Sequence, residues 1–272
     1  MPIVLFMPKS RGRKGRSRPT PRRADLSPHG LQYRPGQIDL DETTVLENLA
    51  VMPADDLPTI GLTYWYLLAN PQRIANQCLL ATTVLQVLMG RFFGIGAESV
   101  LLTLDVPNGR GGTTRYGSES PHFDGQHFVG HVGLITDTGL LVDPTAGQFP
   151  EIRAGGYRPL VGRIGTAQVG AALNGGARAT VRLQGGGVVT YRSYPRGSAD
   201  QWMAHQLANE TENLAVLINN TGLGFIAAMA TLGPERVASI QAGSHPRFAA
   251  RVAAFDGKRI EAGSDGVFKV VS

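Results

Sequence analysis

The segment from His131 to Phe149, HVGLITDTGLLVDPTAGQF, carries the strongest fold signal in the chain. Residues 131–136 are mainly β-branched and other apolar residues, which favour a strand, and the LLV run after the Asp-Thr-Gly turn starts a second strand. A three-residue loop at 136–138 would place His131 directly opposite Asp143 on an antiparallel partner. Both side chains would then point to the same face of the hairpin.

The chain has one cysteine, Cys78, in the segment NQCLLATTVLQVL. Apolar residues nearly all round this segment predict a central buried helix that begins near Asn76. The positive end of a helix favours a thiolate. A lone cysteine in an apolar helix can also be a small core residue, but His131 and Asp143 supply the base and the orienting acid of a nucleophilic site. We therefore expect a Cys78–His131–Asp143 catalytic triad.

This arrangement resembles the transglutaminase-like branch of the papain-like cysteine enzymes. The residues that carry the resemblance are Cys78, His131 and Asp143-Pro144-Thr145, over roughly residues 55–150. It implies an α+β fold with a papain-like or transglutaminase-like core, in which a central nucleophile helix packs on an antiparallel sheet. Many members carry an aromatic residue just after the histidine, whereas this chain has His131-Val132-Gly133.

The resemblance also suggests a donor for the oxyanion. In papain-like enzymes a glutamine six residues before the cysteine has this role, and Gln72 matches it. One such donor stabilises the transition state by about 3 kcal/mol. A polar residue in a loop is also common by chance, and Asn76, Gln77 and the backbone N–H of Cys78 are alternative donors.

Three histidines in HFDGQHFVGH invite a metal-site interpretation. Zinc requires three or four converging ligands, and only His127 and His131 share strand parity, whereas His122 does not. The glycine-rich runs lack the Lys-Ser/Thr pair of a phosphate loop. We therefore expect no metal and no other cofactor, and His127 is the alternative to His131 as the base.

Charge separates a tail from the body of the chain. The formal net charge is +5, with 26 basic and 21 acidic residues. Residues 9–23 hold eight of the basic residues and no acidic one, so the rest is about −3. We expect a basic, flexible leader over residues 1–37, a catalytic core over 38–195, and a mainly helical C-terminal extension packed on the core over 196–272. The tail is a solubilising or targeting leader, or an arm for an acidic partner or nucleic acid.

Periodicity predicts the remaining elements: helices over 39–49, 60–69, 199–219, 222–231 and 234–254, strands over 98–106 and 266–271, and a hairpin over 179–194.

No apolar run reaches the ~18 residues of a membrane span. The apolar opening MPIVLFMP is too short for a secretory signal and precedes its basic residues. A single cysteine favours a reducing, cytoplasmic setting, while export by a signal-independent route stays open.

These features predict a cysteine-dependent amide hydrolase or acyltransferase that acts on a protein or peptide through an acyl-thioester on Cys78. Water as the acceptor would make it a thiol protease or deamidase, and an amine would make it a transglutaminase-type enzyme. The sequence leaves both outcomes open. The alternatives are a catalytically inactive papain-like binding or structural module with a basic contact arm, and a nucleic-acid-binding protein that uses the tail.

Overall fold

The computed structural model describes residues 41–70, 77–124, 127–153, 159–176, 178–183, 186–209 and 211–272. These residues all fall in one compact unit. The leader predicted over residues 1–37 and the oxyanion candidates Gln72 and Asn76 lie outside the described residues.

Helices occupy much of the first and last thirds of this unit. They are α1 (Glu42–Val51), α2 (Leu62–Ala69), α3 (Cys78–Val87), α4 (Pro150–Arg153), α5 (Val169–Leu173), α6 (Asp200–Asn209), α7 (Thr211–Thr231), α8 (Pro234–Gln241) and α9 (Pro246–Ala253). A π-helical turn over Leu57–Gly61 leads into α2, and another over Leu88–Phe93 extends α3. Gly94 ends that extension in the left-handed conformation, with φ at 74°.

The strands lie mostly in the middle of the chain. They are β1 (Ala97–Pro107), β2 (Thr113–Tyr116), β3 (His122–Asp124), β4 (His127–Val129), β5 (Val132–Thr136), β6 (Leu140–Asp143), β7 (Leu160–Arg163), β8 (Arg178–Arg182), β9 (Val188–Ser193), β10 (Arg259–Ala262) and β11 (Phe268–Val271). One antiparallel sheet has the order β7-β6-β5-β1-β9-β8, with β2 also paired to β1, and β3–β4 and β10–β11 form separate hairpins. The predicted α+β class is confirmed.

The β5–β6 hairpin differs from its predicted register by two residues. Leu134 pairs with Val142, so Asp143 is aligned with residue 133 and not with His131. The loop is Asp137-Thr138-Gly139, because Gly139 takes the left-handed conformation that this turn requires, with φ at 79°. A shift of two residues keeps side chains on the same face. His131 and Asp143 are therefore diagonal neighbours on one face of the hairpin.

The two faces of the sheet bury different apolar clusters. On one face, α3 and the C-terminal helices share a core in which Phe93, Phe225 and Phe248 meet, with ring centroids 5.0–5.8 Å apart. The other face is covered by the short helices α4 and α5. Each face therefore gains hydrophobic stabilisation from its own layer of helices.

Several helix boundaries also differ from the prediction. Helix α3 begins at Cys78, and the helix predicted over 199–219 is divided into α6 and α7 around residue 210. By length and mean hydropathy, 1.5 over Leu214–Thr231, α7 could span a membrane, which the sequence prediction had not recognised. Phe225, Ile226 and Met229 of α7 are nonetheless buried in the shared core.

Candidate active site

Cys78 is the first residue of α3 and directly follows the N-cap residue Gln77. Backbone N–H groups in the first turn of a helix lack intrahelical acceptors, and the positive potential there favours a thiolate. The buried hydroxyls of Thr82 and Thr83 donate to the carbonyl oxygens of Cys78 and Leu79, each at 2.7 Å. These bonds satisfy polar groups inside an apolar helix and fix the turn that carries the sulfur.

His131 lies just before β5, Asp143 is the last residue of β6, and both are fully buried. His131 Nε2 is 2.7 Å from Asp143 Oδ2. The imidazole also meets the ring of Phe149 edge to face, with the centroids 5.0 Å apart. The carboxylate and the aromatic ring together hold the imidazole in one orientation.

The charge of His131 follows from its burial and from its two partners. Burial alone lowers the pKa of His131, because the imidazolium loses its water. The charge of Asp143 and the hydrogen bonds to Asp143 and Cys78 outweigh burial and raise the pKa of His131 to about 10. Since Asp143 occupies Nε2, Nδ1 is the nitrogen left for the sulfur. Asp143 and Cys78 thus both act on the imidazole of His131.

Asp143 has further donors. The hydroxyl of the buried Tyr191 donates to Oδ2 at 2.9 Å, and the backbone N–H of Thr145 donates to Oδ1 at 3.1 Å. Burial and then the charge of Asp143 raise the pKa of Tyr191 well above its usual value, so the phenol stays a donor. A buried carboxylate is stable only when its oxygens are paired and hydrogen-bonded, and these groups meet that need.

Gln148 borders the other nitrogen of the imidazole. Its Nε2 lies 3.3 Å from His131 Nδ1 and 3.3 Å from Thr145 Oγ1. The residue is part of the short 3₁₀ turn that follows β6. Gln148 therefore lies beside the ring nitrogen that Asp143 does not bind.

An aromatic group lies next to the cysteine. Cys78 is 5% exposed and belongs to an apolar cluster with Leu101, Val132, Ala199 and Met203. Phe123, Phe128 and Trp202 pack against that cluster, with ring centroids 5.5–5.7 Å from each other. The indole Nε1 of Trp202 is buried and has no acceptor among the described residues. The β3–β4 hairpin and α6 thus border the sulfur with aromatic side chains.

The predicted site residues have different outcomes. Cys78, His131 and Asp143 come together, whereas Gln72 lies outside the described residues. Gln77 is the N-cap of α3 but makes no capping hydrogen bond through its side chain. The side chain of His127, the alternative base, also lies outside the described part of the chain. Within that part, no three His, Cys, Asp or Glu side chains form a group that could hold a metal ion.

The sequence prediction missed Tyr191 and Gln148. Alternation in the predicted 179–194 hairpin could have placed Tyr191 on the buried face, because Val189 and Ser193 share its parity. It could not have shown that the hydroxyl reaches Asp143, since β9 reaches β6 only across β1 and β5. No sequence signal distinguished Gln148 from other polar loop residues.

Comparisons with known proteins add little to this geometry. No family model and no curated protein matches the chain. A crystal structure of a genomics target is similar over 86% of this chain and 92% of its own, with 11% identity and a TM-score of 0.38. Because that score is below 0.5, we draw nothing from the likeness.

Proposed function

We propose that this chain is a cysteine-dependent amide hydrolase or acyltransferase with a transglutaminase-like, papain-like core. The observation that supports the proposal is the buried 2.7 Å bond between His131 Nε2 and Asp143 Oδ2, with Cys78 close enough to the same imidazole to help raise its pKa. A nucleophile, a base and an orienting acid in this order are the parts that acyl transfer needs.

In the first half-reaction, the thiolate of Cys78 attacks the carbonyl carbon of a substrate amide. A sulfur–carbon bond forms, and the carbonyl electron pair moves to the oxygen. When the oxyanion collapses, the carbon–nitrogen bond breaks and the departing amine takes the proton from His131 Nδ1. The products are an acyl-thioester on Cys78 and a free amine.

In the second half-reaction, water or an amine attacks the thioester. His131, now neutral, takes the proton of the attacking group, and the sulfur leaves as thiolate. Water gives hydrolysis or deamidation, and an amine gives transfer. Asp143 acts as a positioning residue, because its bond to Nε2 fixes the ring and stabilises the imidazolium in both steps.

The burial of these residues agrees with the proposed chemistry. His131 and Asp143 are fully buried, whereas Cys78 is 5% exposed, so a substrate would approach from the sulfur side. Exclusion of water from the His131–Asp143 pair strengthens its electrostatic interaction. The backbone N–H of Cys78 is a candidate oxyanion donor, because the first N–H groups of a helix have no intrahelical acceptor.

Alkylation of Cys78 by iodoacetamide tests this proposal without a known substrate. We expect the full chain to react at pH 7 at least about tenfold faster than its His131→Ala variant, because the variant lacks the positive charge that favours the reactive thiolate. Mass spectrometry of the modified peptide measures the rate. His245→Ala is the control and should react like the wild type, because this half-buried imidazole directly precedes α9 and contacts the backbone of Asp55. Equal rates for wild type and His131→Ala would refute the proposal and favour an inactive binding module.

A further inference from the structure

The sheet face next to Cys78 continues beyond the start of α3. Side chains alternate along β1, and its even-numbered residues are buried on the opposite face of the sheet. Ser99 and Leu101 face α3, since Ser99 Oγ is 2.7 Å from Gln86 Oε1 and Leu101 belongs to the cluster of Cys78. Thr103 is two residues further along, roughly 6.6 Å, on the same face. The sheet face beside Cys78 therefore extends onto the outer strands β9 and β8.

Three exposed arginines occupy this extension: Arg178, Arg182 and Arg192. Arg192 pairs with Thr103 across β1 and β9, and Arg178 lies directly opposite Arg192 on β8. Arg182 follows four residues along β8, roughly 13 Å from Arg178. We call these three residues the arginine face.

The positive charge of the arginine face exceeds the negative charge beside it. Like charges in directly opposite positions destabilise a strand pair, and within the described residues none of the three arginines forms an ion pair. Asp105 is close enough to Arg192 and Arg178 to interact with their charges, but its carboxylate is bonded by two nitrogens of another arginine, Arg115, at 2.8 and 3.2 Å. The face therefore presents guanidinium groups to an anionic ligand.

We infer that the arginine face binds carboxylate side chains of an acidic protein or peptide segment beside the amide that Cys78 attacks. This inference rests on the proposed function. Guanidinium forks bind carboxylates through two parallel hydrogen bonds. The separation of Arg178 and Arg182 suits an extended segment with acidic side chains two or four residues apart, because these point the same way. Threonine and valine fill the described positions between the arginines, so single-stranded bases would find no stacking platform there, and Tyr194, two residues beyond Arg192, is half-buried.

Binding of a defined peptide tests the inference. The full chain carrying Cys78→Ala would be titrated against a fluorescein-labelled peptide in which every second residue is Glu, and against its Gln counterpart. Arg178→Gln with Arg192→Gln should weaken binding of the Glu peptide roughly three- to tenfold, the range expected for two exposed ion pairs, and added salt should narrow the difference. Lys258→Gln with Arg259→Gln removes the same charge around the start of β10 and should leave binding unchanged.

The possible results separate the inference from the proposed function. Equal affinities for the two double variants, or equal binding of the Glu and Gln peptides, would overturn the inference. A labelled single-stranded oligonucleotide that loses more affinity than the Glu peptide on Arg178→Gln with Arg192→Gln would also overturn it in favour of nucleic acid. Protection of wild-type Cys78 from iodoacetamide by the Glu peptide would support it. If Cys78 proves inert while the arginines still bind the Glu peptide, only the proposed function fails.

Discussion

The buried bond between His131 and Asp143 sets the protonation state of the imidazole. The pKa of His131, raised to about 10, keeps the imidazole charged over the physiological range. Tyr191 and the backbone of Thr145 keep the carboxylate of Asp143 bonded without water. A charged imidazole beside a sulfur is the resting arrangement from which the proposed acyl transfer starts.

We expect the imidazolium of His131 to persist at pH 8, where a histidine with the ordinary pKa of about 6.5 is neutral. Because the folded-state pKa is the higher one, this group adds stability that is fully present below about pH 6.5 and is lost as the pH rises toward 10. A ¹⁵N NMR titration of the histidine side chains measures the charge directly. In Asp143→Asn the same signal should titrate at lower pH, whereas Asp265→Asn, in an exposed turn, should not shift it. A neutral His131 at pH 8 in the wild type would contradict this prediction.

The sequence was sufficient to predict that His131 and Asp143 are neighbours, because strand parity alone puts their side chains on one face of the hairpin. The sequence did not predict Tyr191 as a partner of Asp143. Tyr191 lies 48 residues after Asp143 in sequence, and only the strand order of the sheet brings its hydroxyl to the carboxylate.

The β5–β6 hairpin positions the acid relative to the base. The hairpin is tightly packed at Gly133, where a Cβ atom would lie 2.4 Å from Leu102 Cδ1 and 3.0 Å from the carbonyl oxygen of Val142. Val142 directly precedes Asp143. This crowding is a physical reason why the chain has glycine after His131-Val132.

Gly133→Ala should therefore destabilise the protein by about 1–3 kcal/mol, the usual cost of overpacking a core. It should also slow iodoacetamide alkylation of Cys78, because a displaced β6 moves Asp143 away from the imidazole. Gly170→Ala is the control, since a Cβ there meets nothing within 4 Å and the residue lies in α5. Urea denaturation gives the free energy of unfolding for both variants. A Gly133→Ala protein as stable as Gly170→Ala would rule out the crowding argument.

The register of this hairpin shows what local sequence can specify. Alternation fixed which residues face the core, and the Asp-Thr-Gly turn indicated a loop of three residues. The sequence pattern did not determine whether the loop starts at Thr136 or Asp137. Gly139 fixes the loop at residues 137–139, because its left-handed conformation and its contact with the backbone at Gly165 leave no room for a side chain.

Across the whole molecule, the C-terminal helices complete the core around α3. Phe225 of α7 stacks on Phe248 of α9 and meets Phe93 at the end of the α3 extension. The predicted helices in this region followed from periodicity. Their contact with Phe93 across the core could not be predicted, because contacts between residues more than a hundred positions apart leave no local pattern in a single sequence.

Phe225→Ala should cost about 3–5 kcal/mol, because it removes a fully buried ring from its contacts with Trp65, Phe93 and Phe248. This is a large fraction of the 5–15 kcal/mol that stabilises a typical domain. The thermal midpoint should fall by a correspondingly large amount in calorimetry. Leu207→Ala, at a partly exposed position of α6, should change it little. Similar midpoints for the two variants would show that the C-terminal helices are not integral to the core.

The positions of the two tryptophans have a practical consequence. Trp65 is buried in the helical core, 6.4 Å from the ring of Phe225, whereas Trp202 packs beside the cluster of Cys78. Their fluorescence therefore reports on different events: emission from Trp65 follows the melting of the core, and emission from Trp202 follows what happens next to the sulfur. With Trp65 replaced by Phe, the chain becomes its own single-fluorophore sensor, in which a ligand arriving at Cys78 changes the spectrum while the core stays folded.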